Sequence, residues 1–422
     1  MAGKRRDVKV CHVSNLYPPD VLGGAETVVA RLAEGLQAAG QDVTVIATAP
    51  HPRAGRDIVE GVRVRRLAPA NIYWAGEAPR RPAILKPVWH LLDLWNPVMF
   101  RRLRSFLLAE RPDVVHTHNL GGLSVAAWSA TRAAGLPLVH TPHDHSLTCV
   151  RAVRMTRRRR VCERQCAPCA VRGRWLQHLS QAVDAVAAPA RFVVERHLEL
   201  GFFPRAQVGI VPWGAPPVAA AAARPHDGGP VRFLFLGSLQ PHKGVGIALE
   251  AFRRTPDTRA SLDIAGAGVM SDACRAAAAR DPRIRFHGFV TGPAKDRLLG
   301  SADVLLFPSL CWEVVGLVML EAFAHGVPVI ASRTGGIPEF VDEGRTGMLV
   351  EPGNAATLAA QIARLADDRG AIESMRAACH AWAARSTWTR TVDELLDVYR
   401  TVVARSNTRS RGEIIQKVGG SE

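Results

Sequence analysis

No apolar run in this chain of 422 residues reaches the roughly 18–20 residues that a membrane-spanning helix needs, which argues against an integral membrane protein. The first residues, MAGKRRDVKVCHVSN, are basic, but no long apolar segment or small-residue cleavage site follows them. No secretory signal is expected, and the expected location is cytoplasmic, with the inner membrane surface as a second station. Acidic side chains are few: 38 Asp and Glu stand against 54 Lys and Arg, a formal net charge of +16. That excess favours anionic partners such as phosphorylated small molecules or lipid headgroups. No recognisable DNA- or RNA-binding module is present, which sets nucleic acid aside. No D-x-D motif is found either.

Cysteine is sparse but clustered. Four of the eight, Cys149, Cys162, Cys166 and Cys169, form C-x12-C-x3-C-x2-C. Cytosolic thiols stay reduced, so this group reads as a structural zinc site or as free thiols packed under a loop. Either fits the sequence.

What the chain does have is alternation. Val8–Asn15, Asp42–Pro50, Asp113–His118, Pro137–Asp144, Asp184–Ala190 and Val208–Gly214 are apolar strand candidates separated by helical spacing. Their continuous Val/Ile/Ala character marks strands buried on both faces, hence a parallel sheet between helix layers. Residues 215–230, APPVAAAAARPHDGGP, read as a linker. A second series follows: VRFLFLGSL, SLDIAGAG, RIRFHGFV, ADVLLFPS, VPVIAS and GMLVEP. The length is too great for one core of ordinary size. The expectation is an α/β protein of two doubly wound Rossmann-like domains facing across a cleft. They occupy 1–214 (acceptor side, with a Cys-rich loop at 146–174) and 231–385 (donor side). A helix at 386–406 packs back toward the first domain, and a loose tail covers 407–422. Ligands of such sheets bind beyond the carboxyl ends of the strands.

The stretch EVVGLVMLE, Glu313–Glu321, places two carboxylates in an otherwise apolar run. It follows a strand and must start a helix. Glu313 then lies at or before the helix N-terminus, where the amides of Val315, Gly316 and Leu317 have no partner within the helix and suit a phosphate. A sugar nucleotide fits, its diphosphate on the helix end and a carboxylate on either side for hydroxyl groups.

This segment, with VPVIASRTGGIPEF after it, resembles the signature of retaining glycosyltransferases of family 4, which have the GT-B fold. Glu313, Gly316, Glu321, Gly335, Gly336 and Glu339 fall in place. The resemblance extends over VSNLYPPDVLGGAE, PDVVHTHN, HTPHDH, GSLQPHKGV and the STW…VY helix. It implies that Glu321 holds the ribose diol of a donor and Glu313 the hydroxyls of the transferred sugar. It implies further that Lys243 neutralises the diphosphate, that His143 sits over the sugar, and that Gly24 belongs to a loop closing on the phosphate. Ser238 departs from the family, which usually has Arg there, so either a nearby arginine substitutes or the diphosphate is held more weakly.

The implied activity is retaining transfer of a hexose-type sugar from a nucleoside-diphosphate sugar to a carbohydrate or lipid-linked acceptor, in surface glycan or glycolipid assembly. No cofactor is required for catalysis in this reading, because D-x-D is missing and the departing phosphate can take the proton. The rivals are an epimerase or hydrolase of the same fold, and a nucleotide-sugar-binding subunit with little catalysis. An NAD enzyme, prompted by Gly266–Ser271, lacks the third glycine and a ribose-binding acid. The histidines His116, His118, His140 and His145 read mainly as packing or polar contacts, and His143 as a site lining. His143, Asp144 and His145 alternate on extended backbone and are not expected to converge on one ion. The segment Ala83–Glu110 reads as a helix pair on the sheet, or as an amphipathic surface for anionic lipid carrying Trp89 and Trp95.

Overall fold

The apolar runs become strands because each can bury both faces between helices, and a computed structural model places them in two sheets. It describes residues 7–156, 158, 160–217, 228–255 and 259–418. Residues 218–227 of the expected linker lie outside these. The chain divides into two compact units: Met1–Ala152, Gln165–Trp213 and Trp388–Glu422 form the first, Val153–Arg164 and Gly214–Thr387 the second.

The first unit carries an eight-stranded sheet of β1 (Lys9–Val13), β2 (Asp42–Thr48), β3 (Gly55–Val59), β4 (Val62–Leu67), β5 (Val114–Thr117), β6 (Leu138–His140), β7 (Ala185–Ala188) and β8 (Gln207–Ile210). Its order is β3-β4-β2-β1-β5-β6-β7-β8. All pairs are parallel except β3 with β4. This edge hairpin is not among the strands expected from sequence. Its VRVRRL strand, β4, interleaves Arg with apolar residues rather than running apolar, and β3 beside it is the edge.

The second unit carries β9 (Val231–Leu236), β10 (Ala260–Ala265), β11 (Ile284–Gly288), β12 (Val304–Phe307), β13 (Val329–Ser332) and β14 (Gly347–Val350). The order is β11-β10-β9-β12-β13-β14, parallel throughout. In both units the strand order reverses beside the first strand, between β1 and β5 and between β9 and β12. Such a switch point opens a crevice at the carboxyl ends.

Two expectations need correction. The Cys-rich stretch 146–174 is not one loop: helix Ala167–Ser180 starts within it, and Val153–Arg164 goes with the second unit. Arg154 explains that departure. It donates to the carbonyls of Cys162 at 2.6 Å and Glu163 at 2.9 Å, and its guanidinium lies 5.1 Å from the Trp312 ring centre. The tail expected to be loose over 407–422 is, as far as 418, the continuation of helix Trp388–Val418, and 419–422 lie outside the described residues. That stretch has no proline to break a helix. The first half of this helix packs within the first unit. Val392 meets the bare Cα of Gly35, where an added Cβ would come within 2.7 Å, and Tyr399 is fully buried with its hydroxyl 2.6 Å from His116 Nδ1.

Candidate functional site

In the second unit the site grows from the ends of the two strands at its switch point. After β9 the chain makes a short 3-10 turn, Pro241–Lys243, and Gly244 follows at φ +81°. A Cβ on Gly244 would lie 1.8 Å from the Pro308 carbonyl oxygen, so only glycine lets this turn close on the end of β12. Leu310 N–H donates to the His242 carbonyl at 2.8 Å and fastens the two loops. The consequence is placement: Lys243 Nζ reaches both Glu313 oxygens, at 2.7 and 3.0 Å. Ser309 Oγ donates to Glu313 Oε1 at 2.6 Å.

Glu313 is buried, 8% exposed. Burial pushes its carboxyl upward, but the Lys243 charge, with hydrogen bonds from Lys243 and Ser309, outweighs this and holds it below the ordinary value. Burial likewise pulls Lys243 down, and Glu313 more than restores it. Each ion keeps the other charged.

The backbone of Glu313 is fixed from the other side. Gly336 N–H donates to its carbonyl at 2.8 Å. Gly335 sits at φ +60° with a position for Cβ only 2.3 Å from the Glu313 oxygen and 2.5 Å from its nitrogen. The Gly-Gly pair therefore acts as a cradle for the first glutamate.

Helix Leu317–Ala324 begins just beyond, capped by Gly316, whose lack of a side chain leaves the first-turn amides without a side-chain acceptor. A Cβ there would meet the Phe307 ring at 2.6 Å. Val315 is buried immediately before it. Glu321, on the helix, pairs with Lys295 at 2.7 Å. Sequence reasoning missed Lys295 and Ser309: the first lies in an unremarkable helical turn, the second closes the strand run ADVLLFPS. Ser238 is exposed directly after β9.

In the first unit, Gly24 opens helix Gly24–Ala38 on an exposed turn, and Glu26 Oε2 accepts from Gly23 N–H at 2.9 Å. His143 follows β6. Its Nε2 lies 2.9 Å from His118 Nδ1, and its ring stacks on Trp213 at 5.4 Å. His143 and His118 line a cavity of about 130 Å³ within this unit, together with His90, Asp93, Asp144 and Arg172. Burial raises the Asp93 carboxyl to about 8, against hydrogen bonds from the Gly122 and Ser124 backbone. Burial also raises Asp144, whose carboxylate accepts from Ser146 N–H at 2.7 Å. His143 and Asp144 thus turn to different partners. Sequence reasoning also missed Asp93, a single acid in the short segment HLLDLW.

Ring nitrogens of His12, His116 and His118 lie within 4.8 Å of one another, all three residues buried. Both His116 nitrogens are already bonded, to Tyr399 at 2.6 Å and Thr141 at 2.8 Å. Among the sequence cysteines, Cys166 and Cys169 Sγ stand 3.4 Å apart, and Cys149 and Cys166 both bear on the Cys169 thiol, which burial raises to about 11. The amides of Arg151 and Val150 donate to Cys149 and Cys169 sulfur. Cys162 lies in the segment that goes with the second unit.

Residues 22–217 match the family described as Glycosyltransferase Family 4, and residues 230–368 that described as Glycosyl transferases group 1. D-inositol 3-phosphate glycosyltransferase of Acidothermus cellulolyticus is 31% identical over 452 residues, covering 97% of this chain and 92% of that protein. The chain belongs to this glycosyltransferase family. Sucrose-phosphate synthase from Thermosynechococcus elongatus superposes with TM-score 0.75 at 20% identity, over 94% of this chain and 100% of that one. HepE of Anabaena in complex with UDP-glucose gives TM-score 0.69 at 17% identity, over 93% and 100%. The glycosyltransferase therefore has the GT-B fold, with two Rossmann-like domains.

The Lys243–Glu313 pair sets a pH signature. Glu313, held low when folded, adds stability above the unfolded carboxyl value and loses it as pH falls through the folded value. In Lys243→Met the buried carboxylate has lost its cation, so its folded value rises and charge becomes a cost as pH increases. The variant is expected to lose on the order of 3 kcal/mol at about pH 8 and distinctly less at about pH 5. Chemical denaturation at both pH values measures this; an equal deficit at both would refute the mutual support of the pair.

Proposed function

We propose that this glycosyltransferase moves a hexose from a nucleoside-diphosphate sugar to an acceptor hydroxyl with retention of configuration, in surface glycan or glycolipid assembly. The observation that carries the reading is the buried, ionised Glu313, fixed by Lys243 and Ser309 beside the open amides of helix Leu317–Ala324. A carboxylate so placed accepts sugar hydroxyls, and the helix end beside it receives phosphate oxygens. The bound UDP-glucose of HepE supports a nucleotide-sugar donor. Glu321 takes the ribose diol. The amides of Val315, Gly316 and Leu317, with Ser238, take the diphosphate.

The bond from the anomeric carbon to the diphosphate oxygen breaks, and its electron pair leaves with the diphosphate. Lys243 is shared between Glu313 and that growing charge, a stabilisation available without reorganising solvent. The acceptor oxygen bonds to the anomeric carbon on the same face, and its proton passes to the departing phosphate oxygen. His143 orients the sugar. The cavity lined by Asp93, Asp144 and Arg172 is where we place the acceptor. Glu313→Gln is expected to lower kcat roughly a hundredfold or more while UDP-, GDP- or ADP-sugars still raise the melting temperature. The assay is run in excess chelator; wild-type turnover that vanishes there would end the metal-independent reading.

A structural zinc on Cys149, Cys166 and Cys169 is part of the proposal. The amide-to-sulfur bond at Cys149 and the 3.4 Å approach of Cys166 to Cys169 support this, and the thiols would release their protons on binding the ion. Metal analysis of the purified chain should give one zinc per chain, lost in Cys166→Ser/Cys169→Ser; a metal-free wild type refutes it.

Ile84, Val88, Leu91 and Leu92 are exposed, as are Arg101, Arg102 and Arg104 on the helix Pro97–Glu110. We read this as the edge that meets an anionic lipid surface. Trp89, counted with that edge from sequence, is instead buried with Nε1 on the Tyr73 carbonyl at 2.9 Å. Among the described residues no helix is long and apolar enough to cross a membrane. Sedimentation with vesicles of anionic phospholipid should capture the protein at low salt and release it at high salt; absence of binding at low salt removes the assignment.

A further inference from the structure

We propose that His118 and His12 are positioning residues that set the tautomer of His143, so that its ring offers Nδ1–H to a ligand in the first-unit cavity. The inference rests on the reading of His143 given above and deepens it.

Three imidazoles form a chain. His12 Nδ1 lies 2.8 Å from His118 Nε2, and His118 Nδ1 lies 2.9 Å from His143 Nε2. Both contacts are ordinary hydrogen-bond lengths. Burial pulls all three rings well below the usual imidazole range, so each is neutral and carries one ring proton. Three protons must serve two ring-to-ring bonds, one proton per bond. The third proton can then stand only at one end of the chain, on His143 Nδ1 or on His12 Nε2.

Those two end nitrogens are the ones that find no protein partner, and both are buried. They differ in what surrounds them. His12 is fully buried near the carboxyl end of β1, with its ring against those of His116 and His118. A proton on its Nε2 would be a buried donor with nothing to meet, whereas a bare lone pair there costs less. His143 lines the cavity and His12 does not, so of the two end rings His143 is the one that a ligand in that space can partner. The favoured arrangement is thus Nδ1–H on all three rings, each proton pointing one way along the chain.

His116 keeps out of this relay, and its tautomer follows independently. Thr141 Oγ1 donates to the Ala187 carbonyl at 2.7 Å, so it accepts from His116 Nε2–H, and Tyr399 donates to His116 Nδ1. The ring that stacks closest on His118, with centres 4.1 Å apart, is therefore locked as the opposite tautomer and takes no proton from the chain.

The test is a long-range proton–nitrogen correlation spectrum of the full chain labelled with 15N-histidine, assigned with His143→Ala and His118→Asn. Nδ1–H on His12, His118 and His143 is the expected result; Nε2–H on His143 overturns the inference. Kinetics give a second readout. In His118→Asn the side-chain Nδ2 stands where ring Nδ1 did and still donates, so kcat should stay near wild type. His118→Leu should lower kcat roughly tenfold with donor KM unchanged. Equal loss in both variants would assign His118 to packing and overturn the relay. A His143→Ala variant with full kcat, alongside the Nδ1–H spectrum, would count against the donor-site role of His143 and leave the relay standing.

Discussion

A single buried ion pair organises the second unit. Glu313 in a near-dry environment is tolerable only with a cation in contact, and Lys243 is that cation because Gly244 lets its turn close on Pro308. Remove any member of the set and the others lose their reason: the Gly335–Gly336 cradle, the Ser309 hydroxyl and the end of β12 all converge on one carboxylate. Two neighbouring strands at a switch point deliver these groups, so the sheet topology and the charge arrangement are one constraint seen at two scales.

The second unit was the more legible of the two. All six of its strands could be read: four are short apolar runs buried on both faces, and the two edge strands, β11 and β14, are partly buried runs bounded by glycine or charge. The first unit hid its edge hairpin, since VRVRRL obeys the rule for a half-wet strand and resembles a polar loop. Site residues were legible where chemistry conflicts with surroundings. Glu313 and Glu321 stood out as acids in an apolar run. Lys295, Ser309 and Asp93 did not, because a lysine in a helix, a serine after a strand and one aspartate in a tryptophan-rich segment each satisfy ordinary local rules. Their significance comes from partners 26, 4 and 29 positions away, which spacing alone does not reveal.

The histidines of the first unit show the same limit in another form. Five of them could be counted in the sequence between His116 and His145, and their packing role is what most of them have. What periodicity could not give is direction. The difference between His116, committed by threonine and tyrosine, and His118, committed by two other rings, arises from which neighbour has a proton to spare.

Helix Trp388–Val418 belongs to the first unit although the whole second unit precedes it in the chain. During synthesis the second unit can complete its contacts while the ribosome is still working. The first must wait for the final helix before Gly35 meets Val392 and Tyr399 reaches His116. The domain begun earliest is thus the one finished last, and an incomplete chain that has lost this helix would leave behind an intact C-terminal fold beside an unsealed sheet.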